Sequence, residues 1–122
     1  MDYIRLIEYR VESCKRKFDD LFNVLNCTFT LEFSSKAEYL KDVLKLVEFF
    51  AFSKPKSIKL EIRFSSYLDC EFKVKVPAKN LAKFVKLNLH SENLKVRELV
   101  QEIYDMVAKD YHELFEQTKG EK

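Results

Sequence analysis

Glycine occurs once in this chain, at Gly120 near the end, where average usage of about 7% predicts roughly nine in a chain of this length. Loops that cradle phosphate, and the sharp turn that presents a nucleophilic serine, need glycine because a Cβ would block the turn or hold the backbone off the ligand. Glycine-built nucleotide loops and nucleophile elbows are therefore excluded. The remaining 121 positions still describe an ordinary globular chain, 47% hydrophobic and 34% charged. One domain spanning residues 1–122 is expected, because cores of about 100–150 residues rarely divide. Its last residues, 117–122, are expected to fray.

Hydrophobic spacing sets the expected elements. From Asp2 to Asn26 the residues Ile4, Ile7, Val11, Cys14, Phe18, Leu21 and Leu25 recur every three or four positions, the stripe of a long helix. A strand over Tyr3–Glu12, in which Ile7, Tyr9 and Val11 alternate with charged residues, is the shorter alternative. Cys27–Phe33 alternates apolar and polar residues as a half-buried strand does. Ser35 followed by Glu38 reads as a capping box for a helix running to about Phe52. The apolar arc of that helix, widened by Tyr39, Leu46 and Phe49, exceeds what one sheet contact requires.

Two further strands, Ser57–Phe64 and Cys70–Val76, flank a short polar turn and predict a hairpin. Setting Phe64 opposite Cys70 places Ile62, Leu60 and Ile58 opposite Phe72, Val74 and Val76 on one face. The other face then pairs Arg63 with Glu71, Glu61 with Lys73 and Lys59 with Lys75. A helical turn over Pro77–Ala82, a fourth strand over Phe84–Leu89 and a last helix capped at Ser91 complete the reading. The expected fold is an α+β two-layer sandwich of order α-β-α-β-β-β-α. Its sheet is mixed and about four-stranded, with one face covered by two long helices and a shorter crossover helix.

Charge is distributed unevenly under a net value of +2. Residues 54–90 hold nine basic groups against three acidic ones, whereas residues 91–122 hold five against eight. Lys59, Arg63, Lys73, Lys75 and Lys86 are the candidate phosphate contacts, and Lys59 facing Lys75 would be relieved by an anion. Such binding would follow the nucleic-acid backbone with little sequence preference, since no aromatic platform is predicted on the exposed sheet face.

Little in the sequence suggests chemistry. His90 and His112 have no cysteine at a ligand-like interval, so neither a metal nor a cofactor is expected. Cys14, Cys27 and Cys70 are odd in number and widely spaced, which suits reduced, buried thiols. Asp110 falls inside the apolar arc of the last helix, where a carboxylate needs a partner. Asp2, Arg5, Glu8 and Arg10 interrupt any N-terminal secretion signal, and the Phe49–Phe52 run is too short to span a bilayer, so a cytoplasmic location is expected.

The reading that follows is a small non-enzymatic interaction protein, with no small-molecule substrate and no membrane contact. It is expected to dimerise through long amphipathic helices, using Ile4, Ile7, Val11, Phe18, Tyr39, Leu46 and Phe49. A nucleic-acid-binding protein using the basic hairpin face is the alternative.

Overall fold

The computed structural model describes residues 4–14, 24–51 and 58–119. Its elements are strands β1 (Ile4–Cys14), β2 (Cys27–Lys36), β3 (Lys59–Phe64) and β4 (Asp69–Pro77), with helices α1 (Leu40–Ala51), α2 (Ala78–Asn88) and α3 (Leu94–Lys119). The strands form one four-stranded sheet of order β1-β2-β4-β3. Every hydrogen-bonded pair in it is antiparallel, so the sheet is not mixed. The α+β class and the count of four strands stand. Two segments exchange type.

The first segment is a strand where the longer stripe predicted a helix. Ile4 and Leu6 face inward on even numbers, then the register shifts between Leu6 and Glu8, and Tyr9 and Val11 face inward on odd ones. A bulge advances a period-two pattern by one residue. The resulting 4, 7, 11 spacing counterfeits a helical stripe, and Ile7, the extra residue, is left 51% exposed. The second exchange is Phe84–Leu89, a predicted strand that belongs to α2. Ala78, Leu81, Ala82 and Val85 bury one helical face while Lys79, Lys83 and Lys86 take the other, and Leu87 is exposed.

The hairpin register matches the expectation pair for pair from Lys59↔Lys75 to Phe64↔Cys70. Its turn manages without glycine. The Ser66 hydroxyl accepts from the backbone N–H groups of Leu68 and Asp69 at 3.2 and 3.1 Å, and Ser65 and Ser66 donate their own N–H groups to the Asp69 carbonyl.

Neither predicted cap holds. Ser35 lies within β2 and its hydroxyl donates to the Lys36 carbonyl, so α1 is entered through a 3₁₀ turn, Ala37–Tyr39. At α3 the cap is Asn93, whose Oδ1 accepts from the N–H groups of Lys95 and Val96 at 3.1 and 3.3 Å, two residues past the predicted Ser91.

One core joins the layers. Phe29, Leu31 and Phe33 of β2 and Phe72, Val74 and Val76 of β4 pack beneath Val43 and Phe50 of α1, Leu81 and Phe84 of α2, and Val100, Ile103 and Val107 of α3. Phe33 stacks on Phe72 at 5.0 Å, and Phe50 meets Phe84 at 4.2 Å. Helix α3 runs to Lys119, but its backbone breaks at Tyr111 (φ −134°, ψ 49°). The rings of Tyr104 and Phe115 lie 5.0 Å apart, although a straight helix would separate those positions by about 16 Å along its axis. Bending there brings Leu114 and Phe115 into the core.

Candidate interaction surfaces

The sheet has one covered and one open face, and the open face carries the charge. Four of the five predicted phosphate contacts meet there: Lys59, Arg63, Lys73 and Lys75. Lys86 sits on α2, in the helical layer. The structure adds acids that hairpin register alone could not supply. Lys75 pairs with Glu12 of β1 at 3.0 Å and Lys73 with Glu32 of β2 at 3.2 Å, while Arg63 meets Glu71 at 2.8 Å as the hairpin register expected. The hydrogen bond from Lys75 holds the Glu12 carboxyl below the usual carboxylate range. The Lys59–Lys75 repulsion is therefore answered within the protein by Glu12. A shallow groove of about 320 Å³ crosses this face, lined by Arg10, Glu12, Thr30, Lys59, Glu61, Lys73 and Lys75, and its signs alternate.

The predicted self-association residues do not form one patch. Ile4 and Leu46 are buried in the core, which corrects their assignment to an external contact, and Val11 packs against it. Tyr39 is half-buried beneath the Lys95 ammonium, 5.8 Å from the ring centre. Phe18 lies outside the described residues. Ile7 on the open face and Phe49 on α1, 55% exposed, are the two that reach the surface. A more compact apolar group lies at the β3–β4 turn, where Phe64, Tyr67 and Leu68 are 56%, 89% and 58% exposed within five residues. The backbone N–H of Ala37 donates to the Leu68 carbonyl at 2.7 Å and pins this tip to the end of β2.

The two edges of the sheet are finished differently. At β1 the bulge interrupts pairing, and the Leu6 N–H donates to the Glu102 carboxylate of α3 at 2.6 Å, with Arg5 beside it at 3.4 Å. Farther along, the Tyr9 hydroxyl donates to Asp110. Asp110 is thus exposed and answered by a tyrosine, and does not lie within an apolar arc. Burial, and then that hydrogen bond, push the Tyr9 pKa well above the ordinary tyrosine value. Tyr9 also stacks on Phe29 and meets Tyr111 edge-on, an aromatic cluster that locks β1 to the bend in α3. At β3 there is no bulge, and among the described residues no side chain reaches its outer backbone groups. Sequence reasoning missed this contrast because strand order is not written in hydrophobic spacing.

Cys70 is a buried free thiol as expected, whereas Cys27 is not reduced but disulfide-bonded. The β1–β2 ladder sets the backbone of Cys14 opposite Cys27, and directly opposed strand residues fall within the span a disulfide bridges. Burial pushes the Cys70 thiol pKa up, which disfavours the thiolate a nucleophile requires. His112 lies 3.8 and 3.9 Å from Glu113 and Glu116 on an exposed helix face. Among the described residues no three His, Cys, Asp or Glu side chains converge on a metal position, and no helix is long and apolar enough to cross a membrane.

Compared with known proteins, the chain matches no family model, and no curated protein or solved structure is similar to it.

Proposed function

We propose that this protein is a non-enzymatic interaction module that works as a homo-oligomer. The observation carrying the reading is the exposed group Phe64, Tyr67 and Leu68, held at a hairpin tip beside the β3 edge of the sheet. Single exposed apolar residues are common on any surface, but three large ones within five residues are typical of a docking surface. The buried, proton-retaining thiol of Cys70 supports a binding role over nucleophilic chemistry. The contact envisaged here is made by the sheet and its hairpin, because Ile4 and Leu46, expected to join helices between copies, serve the core.

Nucleic-acid binding receives less support. Lys73 and Lys75 are engaged by Glu32 and Glu12, so an incoming phosphate would have to displace carboxylates already in place.

Sedimentation from low to high micromolar concentration tests the proposal. A rise in mass from one chain to two supports it, and a strict monomer throughout rejects it.

A further inference from the structure

We infer that two copies join edge to edge through β3, antiparallel about a two-fold axis, with Ile62 facing the partner's Ile62. The inference rests on the self-association reading and assigns it a site and a register. Both ends of the sheet offer unpaired backbone groups, and among the described residues only the β1 edge is protected. The β1 edge is bulged and its Leu6 N–H is occupied by Glu102, two devices that block strand addition. The β3 edge is regular over Lys59–Phe64 and carries neither.

Side-chain alternation leaves few ways to pair β3 with itself, because directly opposed residues must share a face. Centring the axis on Glu61 sets Glu61 against the partner's Glu61 and Lys59 against the partner's Arg63, both repulsive. Centring it on Leu60 satisfies Lys59 with the partner's Glu61 but carries Phe64 beyond the partner's strand. Centring it on Ile62 sets Glu61 opposite the partner's Arg63, and Arg63 opposite the partner's Glu61. The covered face then sets Leu60 opposite the partner's Phe64 and Ile62 opposite the partner's Ile62. In that register every β3 residue from Leu60 to Phe64 meets a complementary one. Glu61 has no ion pair among the described residues, and half-exposed Phe64 gains cover. The alternating signs along β3 are attractive toward a reversed copy. Two four-stranded sheets would merge into one of eight.

Ile62→Cys and Leu60→Cys distinguish the registers. With Ile62 on the axis, two cysteines at 62 are directly opposed, within the span of a disulfide, whereas two at 60 stand about 13 Å apart along the strands. Mild oxidation of the Ile62→Cys protein is expected to give a covalent dimer, while the Leu60→Cys and unsubstituted proteins stay uncrosslinked. Phe64→Lys, on an exposed position that leaves the fold intact, is expected to weaken dimerisation at least tenfold with an unchanged melting temperature in dilute solution. If the protein sediments as a dimer but Ile62→Cys fails to crosslink, or Leu60→Cys crosslinks instead, the register is wrong while self-association survives. If Phe64→Lys leaves the dimer as tight as before, the β3 contact is wrong. A strict monomer removes both proposals.

Discussion

Replacing Tyr9 by phenylalanine removes one oxygen and leaves the ring where it stacks on Phe29 and meets Tyr111. The change therefore reads only the hydroxyl donated to Asp110. A hydrogen bond to a charged acceptor contributes about 1.5–3 kcal/mol, and the exposure of Asp110 places this one near the lower end, about 1.5 kcal/mol. The entropy of unfolding near the midpoint is about 2.1 cal/mol/K per residue, hence about 260 cal/mol/K for 122 residues, so the melting temperature should fall by about 6 °C.

The effect has a pH signature. The tyrosine pKa is raised in the folded protein above its ordinary 10.0, so the contribution is fully present below pH 10. It is lost as the pH climbs beyond that value, because the unfolded chain then releases the proton that the fold retains. Calorimetry of wild type and Tyr9→Phe from pH 6 to 11 should show a constant gap that closes above pH 10. Asp110→Asn and the double variant complete a cycle in which the two losses are not additive. A midpoint within about 1 °C of wild type at pH 7 would refute the reasoning, since the hydroxyl would then be served as well by water.

Phe29→Ala empties a fully buried site between Tyr9 and Tyr111 and should cost about 3–5 kcal/mol, measured by urea unfolding; a loss under 1 kcal/mol would mean the aromatic cluster collapses onto the space. Reductant opens the disulfide at Cys27 and should lower stability by about 2–5 kcal/mol, seen as a fall in melting temperature with a mass gain of two hydrogens; an unchanged melt would show that the ladder alone holds β1 to β2.

Local pattern was sufficient for β2, α1, α3 and above all the β3–β4 hairpin, whose register follows from alternation on both faces of two strands joined by a short turn. These elements have a hydrophobic period that fits only one secondary structure. Residues 4–11 and 84–89 each fitted two, and neighbours decided. In β1 the bulge at Ile7 breaks the alternation that would have announced a strand, and only pairing with Phe33, Leu31 and Phe29 makes its inward residues evident. In α2 the apolar positions 85, 87 and 89 alternate by coincidence, while burial of Ala78, Leu81, Ala82 and Val85 rewards the helix.

The candidate surfaces divide the same way. The positive character of the hairpin could be read from its lysines, because charge is a property of composition. Its neutralisation by Glu12 and Glu32, and the edge positions of β1 and β3, all depend on which strand lies beside which. Strand order is set by how the whole apolar surface closes over one core, a long-range property that no window of neighbouring residues contains.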